Sequence, residues 1–292
     1  MTDWRSLYPF EPQHLQIGEL SLHYVDEGPG TGAPMLLVHG NPTWSFYWRQ
    51  VIRAFQQERR MIAPDHIGCG LSDKPQGWSY RLADHVSNLE RLVLELDLRG
   101  ITLVVHDWGG PIGLGVATRH PERFERLVVL NTAAFRSKAI PLRIAVCRTP
   151  LLGPLAVRGL NAFARAATFM ATEKGLNPLA SAGLLAPYGS WADRIAIQRF
   201  VEDIPLDDSH PSWKTLVEIE SGLERLEDKP TLLIWGERDW CFTPEFRREF
   251  ERRFPEASVR PIAEAGHYVV EDAPEQVIEA IREFVGGPSS RA

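Results

Sequence analysis

The apolar positions of this chain fall into short continuous runs separated by longer stretches of helical periodicity. Runs at 35–38, 60–63, 101–105, 127–130, 231–235 and 259–262 are too short for helices. Such runs suit strands buried on both faces of a sheet. Two more, at 15–17 and 20–25, are joined through Gly18 and read as a strand pair. Between most of them, 48–57, 83–98, 113–120, 244–254 and 274–284 space apolar residues three and four apart, the period of one helix face. Strands alternating with helices predict an α/β fold, a mostly parallel eight-stranded sheet with helices on both faces.

The alternation stops between 135 and 212. This segment has no period-2 run, is broken by Pro and Gly, and carries apolar helical patches at 160–170 and 195–201. It is expected to form an inserted helical cap, with 1–134 and 213–292 as the core domain. Ligands of open α/β sheets bind outside the carboxyl ends of the strands. A cap placed there would shield a pocket from water.

Composition narrows the function class. The 292-residue chain carries a net charge of −6 and no contiguous basic block, so a nucleic-acid partner is not expected. Cys69, Cys147 and Cys241 are far apart, without metal or disulfide spacing. No apolar run approaches the roughly 20 residues of a membrane span. Met1-Thr2-Asp3-Trp4-Arg5 lacks a signal pattern, so a cytoplasmic location is expected. Gly28-Pro29-Gly30-Thr31-Gly32 reads as a flexible turn, not a phosphate cradle, and no cofactor is implied.

The chemistry centres on Val105-His106-Asp107-Trp108-Gly109, which follows the 101–105 strand and leads into Gly110-Pro111-Ile112-Gly113. This is the setting of the nucleophile elbow of α/β-hydrolases, whose central residue is usually Ser. Asp107 changes the chemistry. A carboxylate with an unperturbed pKa of about 4 is already ionised at neutral pH. It can attack an electrophilic carbon directly and form an ester. Asp239 lies in the turn after the 231–235 strand, and His267 follows the last strand in Gly266-His267-Tyr268. Nucleophile, acid, histidine is the chain order of the hydrolase triad. His267 is read as the base that activates water and Asp239 as the group that orients it.

Rivals exist for each role. Glu237 is expected to face solvent, and Glu271 and Asp272 to serve as charges at a helix start before Pro274. His39 and His66 read as structural hydrogen-bonding groups, and His106 as projecting away from the elbow. The 35–38 strand ends in His39-Gly40-Asn41-Pro42-Thr43-Trp44. The backbone amides of Asn41 and Trp108 are placed to form an oxyanion hole. Their side chains add an NH2 group and an indole N–H, two donors suited to a leaving group that only accepts hydrogen bonds.

The His39-to-Trp44 and Val105-to-Gly110 segments resemble the two most specific motifs of the haloalkane dehalogenase family. Pro64-Asp65-His66-Ile67-Gly68 through Leu71-Ser72-Asp73-Lys74-Pro75 is similar to that family's loop after the fourth strand. Some members carry the triad acid after the sixth strand, where this chain has Asn131-Thr132-Ala133. The resemblance therefore implies Asp239 as the acid and the family's third subfamily. That subfamily also holds the β-lactone decarboxylases of bacterial olefin synthesis. Asn131 to Phe135, Ala186-Pro187-Tyr188, Asp203 to Leu206 and the turn from Arg238 to Phe242 resemble theirs.

The leading expectation is hydrolytic dehalogenation of a small apolar haloalkane. Asp107 displaces halide, Asn41 and Trp108 hold the departing ion, and His267 activates water against the ester. The alternative is decarboxylation of a cis-3-alkyl-4-alkyloxetan-2-one by the same nucleophile. Phe163, Phe169, Trp191 and Phe200 are expected to line the substrate pocket. Epoxide hydrolysis normally needs two cap tyrosines, and 135–212 contains only Tyr188. A ligand receptor on a hydrolase scaffold is the non-enzyme alternative.

Overall fold

The computed structural model describes residues 3–30, 32–138 and 140–286. Its strands are β1 (Pro12–Ile17), β2 (Leu20–Glu27), β3 (Met35–Val38), β4 (Met61–Pro64), β5 (Ile101–Asp107), β6 (Phe124–Thr132), β7 (Thr231–Gly236) and β8 (Ser258–Ile262). They form one eight-stranded sheet in the order β1-β2-β4-β3-β5-β6-β7-β8. β2 runs antiparallel to both neighbours, and every pairing from β4 to β8 is parallel. The helices in chain order are α1 (Arg49–Phe55), α2 (Leu82–Glu95), α3 (Gly109–Arg119), α4 (Leu142–Cys147), α5 (Leu152–Pro154) and α6 (Ala162–Met170). Then come α7 (Pro178–Leu185), α8 (Ile195–Glu202), α9 (Trp213–Gly222), α10 (Pro244–Arg253), α11 (Val269–Asp272) and α12 (Pro274–Gly286).

The continuous apolar strands are explained by two cores. Leu36 and Val38 pack with α2 and α3 on one face of the sheet. Met35 and Leu37 pack with α1 and α12 on the other. Along the central strands β3 to β7 side chains alternate between the two cores, which is why their runs are continuously apolar, whereas the edge strands β1 and β8 are largely exposed. β6 is longer than its apolar run because it continues through Asn131 and Thr132, both fully buried. Helix α3 starts at Gly109, four residues before its periodicity becomes visible. Pro111 is tolerated there because first-turn amides have no intrahelical acceptor.

Between β6 and α9 the described residues contain helices α4 to α8 and no strand. This excursion is fastened to the sheet end by hydrogen bonds. Trp44 Nε1 donates to the Gly183 carbonyl at 3.1 Å, and Tyr188 Oη donates to the Thr43 carbonyl at 3.2 Å. Tyr268 N donates to the Ala171 carbonyl at 2.7 Å. Asp272 is buried and accepts from the amides of Glu173 and Lys174 at 3.0 Å and of Gly266 at 2.8 Å.

The elbow leaves no room beside β3. A Cβ on Gly109 would overlap the Val38 carbonyl, which is strand backbone and cannot move. Gly109→Ala is expected to cost about 1–3 kcal/mol by urea unfolding. Gly77→Ala, where nothing lies within 4 Å, is the control and is expected to leave stability unchanged.

Candidate active site

Asp107 ends β5 with φ at 51°, in the left-handed region that costs a non-glycine residue energy. The turn lifts its carboxylate off the sheet edge. Gly40, at the end of β3, approaches so closely that a Cβ there would overlap the Asp107 carboxylate. That closeness lets the Asn41 amide donate to Asp107 Oδ1 at 2.6 Å. His267, after β8, presents Nε2 to Asp107 Oδ2 at 3.6 Å. Its Nδ1 donates to Asp239 Oδ2 at 2.8 Å. Asp107, Asp239 and His267 are all buried, so three elements distant in sequence meet out of contact with bulk water.

The charges decide the protonation state. Burial acts to lower the pKa of the His267 imidazole, but the Asp239 and Asp107 carboxylates outweigh it and push it up to about 10. Burial acts to raise the pKa of Asp107, and His267 outweighs it and holds the carboxyl below its ordinary value. Each group thus favours the charged form of the other. Esterifying Asp107 removes its charge and with it part of the force that keeps His267 protonated.

The neighbouring histidines stay neutral. The His106 ring lies against that of His267, tilted by 40° with centroids 4.5 Å apart, and its Nε2 donates to the His267 carbonyl at 2.9 Å. Burial, with the nearby His267, lowers its pKa to about 3. His39 donates from Nδ1 to the Gly40 carbonyl at 2.7 Å and accepts from the His66 amide at 3.1 Å. His66 Nε2 donates to the His39 carbonyl at 2.9 Å.

Two apolar cavities meet at Asp107. One is lined by Trp108, Pro111, Ala133, Phe135, Leu216 and Phe246. The other is lined by Asn41, Phe163, Ala167, Met170, Trp240 and Tyr268, with His267 at its base. Asp107, Ile144 and Cys241 border both. Trp108 lines the first cavity, and its indole N–H has no acceptor among the described residues. The Asn41 side-chain amide donates to the Ile197 carbonyl of α8 at 3.3 Å, which leaves its second hydrogen free.

Of the aromatic residues expected around the pocket, Phe163 lines the second cavity. Phe200 is buried but stands behind Trp108, ring centroids 5.1 Å apart, and borders neither cavity. Phe169 and Trp191 are corrections: they are 68% and 47% exposed. Phe163, Ala166, Ala167 and Met170 form the inner face of α6. At about 100° per residue, Phe169 turns away from it. Trp191 lies under the Arg158 guanidinium, 4.6 Å from its ring centre.

The rival carboxylates are engaged elsewhere. Glu271 and Asp272 stand in the first turn of α11, where Glu271 grips Arg49 through two bonds of 2.5 and 2.8 Å and Asp272 accepts backbone amides. Glu237 pairs with Arg247 at 3.1 Å.

Asn131 has a role that its sequence position did not announce. It sits at φ 29° at the end of β6, and Nδ2 donates to Asp239 Oδ2 at 2.9 Å and to the Gly236 carbonyl at 3.2 Å. Its Oδ1 accepts from the Gly236 amide at 2.9 Å. The Cys241 amide donates to Asp239 Oδ1 at 2.6 Å, which fixes the other oxygen. The signal was an amide at a strand end where a carboxylate would also fit. Its partner lies 108 residues away, beyond any local pattern.

The His267 pKa, raised from 6.5 to about 10, carries a stability signature. A raised pKa stabilises the fold fully below the unfolded value and loses that contribution as pH rises through the folded one. The margin by which the wild type exceeds His267→Gln in unfolding free energy is expected to hold up to pH 6.5 and to shrink toward pH 10. A margin that grows over that range contradicts a raised His267 pKa. Asn131→Ala strands the buried Gly236 amide and is expected to cost about 1–3 kcal/mol in the same assay.

Comparison with known proteins gives the family. The profile of the alpha/beta hydrolase fold family matches residues 33–274. A cis-3-alkyl-4-alkyloxetan-2-one decarboxylase of Shewanella oneidensis is 42% identical over 96% of this chain and 90% of its own. Haloalkane dehalogenase 2 of Mycobacterium bovis is 33% identical over 96% of both chains. The crystal structure of the haloalkane dehalogenase DatA from Agrobacterium tumefaciens superposes with a TM-score of 0.85 at 26% identity, covering 94% of this chain and 96% of the other. The chain belongs to the alpha/beta hydrolase fold family, among the relatives that include β-lactone decarboxylases and haloalkane dehalogenases.

Proposed function

We propose that the protein decarboxylates β-lactones bearing two alkyl chains on adjacent ring carbons, giving an alkene and carbon dioxide. The observation that carries this is the pair of apolar cavities meeting at Asp107. A terminal haloalkane brings one chain to the nucleophile. A cis-3,4-dialkyl ring brings two, which must diverge from the reacting carbon. The 42% identity to a decarboxylase with that substrate in its name supports the same order. This reverses the ranking expected from the motifs.

In the proposed reaction an Asp107 oxygen attacks the ring carbon that bears the ring oxygen. The carbon–oxygen bond of the strained ring breaks, and its electron pair leaves as a carboxylate on the adjacent carbon. In this reading the side chains of Asn41 and Trp108 donate to that carboxylate. The bond between this carboxylate and the adjacent carbon then breaks. Its electrons form the double bond and expel the Asp107 carboxylate, so carbon dioxide and alkene leave together. No water is consumed and no proton moves. The raised pKa of His267 suits this sequence, because a protonated ring stabilises Asp107 as the leaving group.

Haloalkane dehalogenation is the second reading, favoured by the free indole N–H of Trp108 beside the nucleophile. The two differ in water. Repeated turnover in 18O-labelled water is expected to leave Asp107 unlabelled during decarboxylation, whereas ester hydrolysis would place label in its carboxylate. The paired assay compares alkene release from a cis-dialkyl β-lactone with halide release from a long-chain bromoalkane. Alkene release is expected to dominate, and Asp107→Asn to reduce it by about 10³-fold or more. Halide release with labelled Asp107 and no alkene would instead establish the dehalogenase.

A further inference from the structure

The chain carries 38 Asp and Glu against 32 Lys and Arg, yet residues 135–172 hold six of those cations and none of the acids. Five of the six, Lys138, Arg143, Arg148, Arg158 and Arg165, have no ion-pair partner among the described residues. The sixth, Arg136, pairs with Glu220. The same stretch concentrates exposed apolar side chains. Ten large ones are exposed among the described residues, and seven of them fall between Leu142 and Phe169. Leu151, at 86%, is the most exposed of all. Helices α4, α5 and α6 and the wide turn Leu155–Gly159 between them pack on one another, so these side chains share one region of the surface.

That region borders the second cavity. Arg143, Ile144 and Cys147 of α4 and Phe163 and Met170 of α6 line it. Leu142 and Val146, four residues apart on α4, flank the lining residues and are 78% and 58% exposed. Trp191 lies half-exposed beneath Arg158 of the same region. Exposed leucines among unpaired arginines, with an amphipathic indole beside them, have the composition of a surface that enters the headgroup region of a bilayer. Large exposed apolar clusters are uncommon on a free surface. Each cation near an anionic membrane strengthens binding by about fivefold.

We infer that the face formed by α4, the Leu151–Gly159 turns and α6 docks on an anionic lipid bilayer, bringing the mouth of the Asp107 cavity to the membrane surface. No helix among the described residues is long and apolar enough to cross a membrane, so the contact would be peripheral. An apolar substrate partitioned into the bilayer then reaches the cavity without crossing water.

Co-sedimentation of the full chain with vesicles tests this. Binding to vesicles of equimolar phosphatidylcholine and phosphatidylglycerol is expected. It should weaken by at least about tenfold on phosphatidylcholine alone or in high salt. Leu151→Ser/Leu152→Ser/Leu160→Ser and Lys138→Glu/Arg165→Glu are each expected to weaken it by more than about tenfold. None of these residues lines either cavity, so an unchanged melting temperature and unchanged turnover of a short, water-soluble substrate show that each variant is folded. Absence of binding to the anionic vesicles, or equal binding by both variants, overturns the inference. So does concentration-dependent self-association, seen by sedimentation velocity, that the leucine variant abolishes while vesicle binding persists. Vesicle binding requires no turnover, so its result is independent of the substrate assignment.

Discussion

The arrangement depends on one buried line of polar groups, Asp107–His267–Asp239. Both carboxyl groups are removed from water, where burial without a partner is costly. His267 lies between them and partners both. The remaining lone pairs are met by main-chain and amide donors: Asn41 N on Asp107, and Cys241 N and Asn131 Nδ2 on Asp239. Each donor comes from a different strand end. The sheet order, which brings the ends of β3, β5, β6, β7 and β8 to one edge, is what makes this solvation possible.

Much of this was legible in the chain because the relevant signals are local. Strands buried on both faces write continuous apolar runs, and 35–38 coincides with β3. The elbow is written by one carboxylate followed by glycines that must pass beneath β3. Chain order alone placed Asp239 and His267 after β7 and β8. Strand ends were less legible: β6 runs from Phe124 to Thr132, beyond its apolar core, because its last residues are polar groups recruited to the site. The helix α3 start was hidden by Gly110 and Pro111, which carry no periodicity.

The excursion between β6 and α9 was the least legible part. Its helices are short, and exposed apolar residues such as Phe169 adjoin lining ones such as Met170 in sequence. Phe169 and Trp191 have the same hydrophobicity as Phe163, and only the rotation of α6 and the packing of Arg158 separate outer from inner. Asn131 illustrates a different limit. An amide that satisfies a carboxylate and both polar groups of one glycine does so through a partner on another strand, and no local pattern encodes that.

Asp272 joins two parts of the molecule that are usually considered separately. One carboxylate holds Gly266, the residue before His267, and also the backbone at Glu173 and Lys174 just beyond α6. The backbone beyond α6 and the loop carrying the imidazole therefore share a single anchor. Removing that one carboxylate would leave three amides without their acceptor, one of them adjacent to His267, so a residue that touches no substrate helps fix the position of the imidazole.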